Sequence, residues 1–279
     1  MIISLTIGDL QIGPYASGFH IERLSGFGMP STRVDMKDRG HYNGANLGYA
    51  YYGKRGMTVE GEIVGINAED YETKRRLMTS SMDIMKGLQE AVVQTRGGLA
   101  VKVNAILANP IDLPYDKGRI IRGKFQFQLI TESPFFRGFE DYLKTVNLTD
   151  GGGFAIPFAI PLSLAAGLGA VDYAVNAGNG ASYPIITFYG VADHPTLTKN
   201  TTGDSISVGR ALIITDTVTI DTYNHTAMLN GVTNITNEIT TVGSWLYLAQ
   251  GYNALTLTTL TTSATAKVTL AYNDVYIGI

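Results

Sequence analysis

Over the first 131 residues the apolar positions mostly follow the two-residue period of a strand. In MTVEGEIV (57–64), Met57, Val59, Gly61 and Ile63 fall on one side and Thr58, Glu60 and Glu62 on the other. This alternation predicts a strand with one covered face and one that is wet or against a partner. IISLTI (2–7) and FHIERL (19–24) read as strands joined through the turn chemistry of Gly8-Asp9 and Gly13-Pro14. Leu99 to Leu107 and Gly118 to Thr131 read as two more, connected as a hairpin through Pro110 to Lys117; in the second, Phe125, Phe127 and Leu129 alternate with Lys124, Gln126 and Gln128.

One stretch keeps a helical period instead. Asn67 is placed to cap it, Glu69 and Asp70 suit the positive end of the helix dipole, and Gly87 after Lys86 suits its stop. Tyr71, Met78, Met82 and Met85 share a predicted face, most simply packed beneath a sheet. Between Ser25 and Gly56 neither period holds. That region has seven glycines and mixes Arg33, Lys37, Arg39, Lys54 and Arg55 with Tyr42, Tyr49, Tyr51 and Tyr52. It reads as a long structureless loop, which in a compact domain signals function or disorder. Tyr and Arg are enriched where proteins meet proteins.

After residue 150 the pattern is all strand. Short β-rich runs separated by turn signals such as NAGNG (176–180), Asn230-Gly231 and Gly251 recur, at roughly the 8–12 residue spacing of an antiparallel sandwich. Ten runs are expected: 171–175, 185–189, 197–199, 204–208, 211–214, 218–222, 226–229, 244–248, 252–260 and 264–277. The expected fold class is mainly β, a small antiparallel β domain with one packed helix followed by a sandwich or jelly roll. The domains expected are 1–150 and 151–279, with a linker at about 131–153 built from an aromatic cluster (Phe135, Phe136, Phe139, Tyr142) and the glycines 151–153.

Composition sharpens the division. Residues 1–150 hold 18 of the 21 Lys+Arg and 17 of the 24 Asp+Glu, which leaves 3 and 7 for the rest. A net charge of −3 argues against a face built to grip nucleic acid. With no cysteine, a thiol nucleophile, a Cys-ligated zinc and a disulfide framework are excluded. The uncharged stretch 151–171 is long enough for a membrane span. Pro157, Pro161, Gly167 and Gly169 and the lack of closely flanking Lys or Arg favour buried or domain-bridging strands, so no membrane insertion is expected.

Chemistry-bearing patterns are scarce. His20, His41, His194 and His225 lack partners at zinc-site spacing. Asp193-His194 before Pro195 reads as a turn, and no Gly-x-Ser-x-Gly elbow occurs. NAGNGA leads into another strand, whereas a phosphate-cradling loop should open a helix. No catalytic residue, metal site or cofactor is expected. Trp245, the only tryptophan, reads as core, with a sugar-binding platform as the sharper alternative.

Several segments together resemble the distal tail protein (Dit) family of long-tailed, non-contractile bacteriophages. They are RGHYNGANLGYAYYGKRGMTVEGEIVG (39–65), LMTSSMDIMKGL (77–88), GKFQFQLITESPFF (123–136), GGGFAIPFAIPL (151–162), NAGNGASYPIITFYG (176–190), VTIDTYNHTAMLNG (218–231) and WLYLAQGYNALTL (245–257). The resemblance implies a tail-tube-like first domain that forms a homohexameric ring and a galectin-like sandwich that projects outward. It also implies a place at the tail tip of a virion assembled in the host cytoplasm. The implied partners are the major tail tube protein, the baseplate hub or tail fibre protein and receptor-binding proteins, with DNA passing through the ring without specific binding. Gene transfer agents and tailocins use similar parts. A closed ring requires a heterologous interface, for which Arg33, Arg39, Tyr42, Tyr49, Tyr51, Tyr52 and Arg55 are the candidate arm. A carbohydrate-binding tail adhesin is the alternative, and a polysaccharide-degrading enzyme has little support.

Overall fold

The structure, a computed structural model, describes residues 2–13, 18–114, 121–148, 171–260 and 265–279. The uncharged stretch 151–171 therefore lies outside the described residues except for Val171, as do residues 115–117 of the Pro110 to Lys117 turn. The chain divides into two compact units, Met1–Phe139 with Tyr276–Ile279, and Glu140–Val275.

In the first unit the strands are β1 (Ile2–Ile7), β2 (Leu10–Ile12), β3 (Phe19–Ser25), β4 (Thr32–Asp38), β5 (Ala45–Tyr52) and β6 (Gly56–Val64). Helix α1 (Ala68–Ser81) follows, then β7 (Gln89–Thr95), β8 (Ala100–Leu107), β9 (Arg122–Thr131) and β10 (Phe136–Gly138). Seven strands pair antiparallel in the order β2-β1-β7-β8-β9-β6-β3, and β10 adds beside β8. Gly13 N–H donates to Phe19 O at 3.0 Å, which brings the two ends of that path together. The alternation of β6 and β9 sets their register: Val59 faces Phe127 and Met57 faces Leu129, all four fully buried or nearly so. Each such side chain contributes roughly 1.5–3 kcal/mol by leaving water. Strand β7, QEAVVQT, is not expected from sequence; its apolar positions are only Ala91, Val92 and Val93.

Helix α1 begins as expected. The Asn67 side chain accepts from Asp70 N–H at 2.8 Å, and the Asp70 carboxylate accepts in turn from Ile66 N–H at 2.8 Å and from Lys74 Nζ at 2.8 Å. Tyr71, Met78 and Met82 join the core, but the helix ends at Ser81 and a separate 3-10 turn carries Ile84–Lys86. Met85 is 87% exposed, so the predicted stripe loses its last member.

The second unit contains β11 (Tyr142–Asn147), β12 (Asp172–Asn176), β13 (Ile185–Tyr189), β14 (Ala192–Asp193), β15 (Thr196–Lys199), β16 (Asp204–Val208) and β17 (Ala211–Leu212). It continues with β18 (Thr217–Asp221), β19 (Thr226–Leu229), β20 (Thr233–Asn234), β21 (Ile239–Val242), β22 (Gly251–Thr258) and β23 (Lys267–Tyr272). A six-stranded sheet, β11-β23-β13-β18-β19-β20, and a five-stranded sheet, β12-β22-β15-β16-β21, share one core. Phe188, Val218, Val268 and Leu270 from the first meet Leu197, Ile206 and Leu257 from the second, the arrangement of a sandwich. On the outer face of the six-stranded sheet, Thr145, Thr269, Thr187 and Thr219 stand opposite one another on four neighbouring strands. These β-branched side chains suit a half-covered pleated face. Segment 244–248, expected as a strand, holds only a bridge from Ser182 to Leu248. Strand β11 belongs here by pairing, Val146 opposite Val268, although it lies before residue 150.

Candidate functional site

The segment read as structureless is a two-stranded hairpin. β4 pairs with β5 from Thr32 opposite Tyr52 to Asp38 opposite Ala45, with an irregularity between Val34 and Met36. At its tip Arg39 N–H donates to Gly44 O at 3.1 Å, and Arg39 Nε donates to Asn46 Oδ1 at 2.9 Å. Gly44 takes φ 98°, which favours glycine there. Every residue of β4 is exposed, and β5 is exposed except at its two ends. That double exposure explains why the sequence shows no strand period: neither face has a core to point at. A lone two-stranded hairpin is marginal in water. Its large apolar side chains, Val34, Met36, Tyr42, Leu47, Tyr49 and Tyr51, nevertheless face solvent, Tyr42 at 82%. Large apolar side chains left exposed in this number are what a contact with another macromolecule would cover. The Arg33 guanidinium lies 6.0 Å from the Tyr51 ring centre.

The arm is fixed at its base. Gly53 N–H donates to Ser31 O at 2.7 Å, the Ser31 hydroxyl donates to Lys54 O at 3.0 Å, and the Tyr52 ring meets the edge of Phe135 at 5.3 Å. Arg55, grouped by sequence with the arm, is not on its surface; it is 1% exposed. Its Nε donates to Pro134 O (2.8 Å), Nη1 to Gly26 O (2.7 Å) and Gly28 O (2.6 Å), and Nη2 to Ile277 O (2.5 Å). The guanidinium sits 4.2 Å from the centre of the Phe136 ring, which stacks in turn on Phe27. Burial pushes this group down to about 10, so it stays charged at neutral pH. The planar fork of arginine can serve several carbonyls at once, which the ammonium of lysine cannot.

A second cluster lies in the sandwich. The Trp245 indole stacks on the His225 ring at 4.6 Å between centres, while Tyr183 contacts Tyr223 (5.6 Å) and Tyr247 (6.1 Å). Trp245 is half-buried beside the core, Tyr183 and Tyr223 are exposed, and His225 takes φ 57° in the turn after β18. Trp245 is therefore neither enclosed core nor an open platform. Against Tyr247, Lys199 is fully buried; its Nζ donates to Tyr247 O at 3.0 Å and lies 4.0 Å from the Tyr247 ring centre and 3.8 Å from the Asp204 carboxylate. Burial lowers Lys199 below its ordinary value, against the pull of Asp204.

The other sequence candidates resolve into turns. NAGNG is held by Asn176, whose Oδ1 accepts from Gly178 N–H and whose Nδ2 donates to Gly180 O and Leu248 O. His194 Nδ1 lies 2.6 Å from Asp193 Oδ1 with the histidine at φ 48°, at the turn leaving β14. Among the described residues no group of three or more His, Cys, Asp or Glu could hold a metal ion, and no helix is long and apolar enough to cross a membrane.

Residues 177–276 match the family described as siphovirus-type tail component, C-terminal domain. Among solved structures the chain is similar to the Dit protein (gp 19.1) of phage SPP1, described as a paradigm of the hub adsorption apparatus in phages infecting Gram-positive bacteria. That likeness has TM-score 0.64 at 10% identity and covers 96% of this chain and 97% of that one. Chains of the phage P2 baseplate in its activated conformation are similar at TM-score 0.43 with Ca (12% identity, 97% and 98% covered) and 0.42 with Sr (13%, 96% and 97%). A search of curated proteins gives no match. The likeness to the SPP1 protein shows a shared fold along nearly the whole chain.

Proposed function

We propose that the chain is a distal tail protein of long-tailed, non-contractile phages, a structural component of the tail and baseplate that works as a non-enzymatic adaptor; the match of residues 177–276 to the siphovirus-type tail component family and the fold shared with the SPP1 Dit protein support this reading. Copies associate laterally into a hexameric ring at the tail tip, through which DNA passes. One face of the ring stacks on the tail tube, the other on the baseplate hub or tail fibre protein, and the sandwich offers a galectin-like outer surface to receptor-binding proteins. The observation that carries this reading is the hairpin: an arm exposed on both faces, carrying large apolar side chains among its charged ones, and held at its base. A heterologous contact, arm on one copy and a different surface on the next, is the kind that closes rings. Arg33, Arg39, Tyr42, Tyr49, Tyr51 and Tyr52 are the contact residues in this proposal. Deleting residues 33–54 should leave folded monomers by light scattering. An undiminished ring mass from the deleted chain would refute the arm.

A second reading, a carbohydrate-binding tail adhesin, is favoured by the exposed rings of Tyr183 and Tyr223 beside the Trp245–His225 stack. Aromatic faces next to turn amides suit pyranose C–H faces and hydroxyls. The intact chain on a glycan array should bind in a way that Tyr223→Ala abolishes; an empty array leaves the adaptor alone.

A further inference from the structure

The base of the arm includes residues that are remote in sequence. Arg55, three residues past the end of β5, bonds the carbonyls of Gly26 and Gly28, where the chain enters the arm, and that of Ile277, which follows the entire second unit in the chain. Ile279 N–H donates to Phe27 O at 3.0 Å. Gly278 packs so closely on Gly28 that a Cβ there would lie 2.7 Å from its backbone. Segment 277–279 thus touches both residues 27 and 28, and the same arginine ties it to the exit of the arm. The four bonds that Arg55 donates all go to backbone carbonyls, on three separate stretches of chain. Losing any one of them leaves a buried cation less well satisfied, so the cluster should close or open as a unit.

We propose that Arg55 and residues 277–279 are positioning elements for the arm, so that binding of a second copy of this chain requires segment 277–279 to be docked. The consequence is an order of events. The clamp cannot close until the second unit has been synthesised, so a chain that stops short of residue 277 presents a loose arm and does not enter assembly. This inference rests on reading the hairpin as the lateral contact.

The test compares the full chain with Arg55→Lys, with Gly278→Ala and with a chain ending at Val275, reading mass by light scattering and hydrogen exchange at Gly53 N–H, the amide that closes the base. The expected result is folded protein in all three, at least tenfold weaker self-association, and at least tenfold faster exchange at Gly53 than in the parent. Gly278→Ala keeps both Arg55 and the full length, so it reports on the clamp even if a shortened chain does not fold. Parent-like association and parent-like Gly53 exchange in the variants that fold would overturn the proposal. If the parent chain is itself a monomer, the lateral-contact reading fails; the clamp is then decided by Gly53 exchange, accelerated if it holds and unchanged if it does not.

Discussion

Among the described residues Arg55 in the first unit and Lys199 in the second are the fully buried long cations, and the two are treated differently. Arg55 is 1% exposed and meets four backbone carbonyls from three stretches of chain and the face of Phe136. Lys199, equally buried, meets one carbonyl, the ring of Tyr247, and Asp204, the residue opposite it across β15 and β16. The lysine therefore fastens a local hairpin to segment 244–248. The arginine collects segments 222 residues apart in sequence at the base of an arm that has no core of its own. Buried charges are poor sources of net stability but can select one arrangement of the chain over others. Here the sandwich holds its shape by a shared apolar core, whereas the arm, exposed on both faces, depends on what holds its base.

This contrast can be broken at several points. The largest effect expected is for Arg55→Ala, which strands four carbonyls and a ring; stability should fall by about 3–5 kcal/mol in chemical denaturation. Lys199→Ala should cost less, about 1–2 kcal/mol, because Asp204 keeps its bonds from Thr202 Oγ1 and Ser244 N–H. Substitutions on the arm, Leu47→Ser or Tyr49→Ser, should move stability by less than about 0.5 kcal/mol while weakening self-association. If both arm variants lost stability instead, the hairpin would be part of a fold core.

Acid gives the smallest and most local signal. Asp70, held down first by its bond from Lys74, and Asp204, held down first by Thr202, both lie below the ordinary carboxylate value of 3.8. A depressed carboxylate contributes stability that is fully present above 3.8 and is lost as pH falls through its own lower value. The thermal stability these two groups contribute should thus begin to fall only as pH drops below about 3.8, and Asp70→Asn should flatten that limb. A decline already complete at pH 5 would point to other groups.

The buried framework was legible in the sequence because a buried face imposes a period. The alternation of β6 and β9 and most sandwich strands follow from it, and the Asn67 cap is legible from local hydrogen-bonding chemistry. Where that cause is missing, so is the signal. Strands β4 and β5 bury neither face, so their residues read as loop. Met85 shares the helical spacing of Met78, but the helix stops at Ser81 and the next turn points it outward. Strand β11 lies in sequence beside the first unit, yet its partner β23 begins 120 residues further on, at Lys267, a distance that local pattern cannot bridge. Arg55 looked like its neighbours Arg33 and Arg39 because sequence carries charge but not depth. Gly26, Gly28 and the aromatic pair Phe135-Phe136 were the available hints that a tightly packed site lay near.

In the proposed assembly the arm is covered by a second copy of the chain. The most direct measurement is amide hydrogen exchange of the intact protein, resolved by segment, at dilute and concentrated conditions. Protection of residues 32–52 that rises with concentration, while the sandwich core strands keep the same rates, is the predicted result. Exchange in the hairpin that is fast and independent of concentration would contradict it.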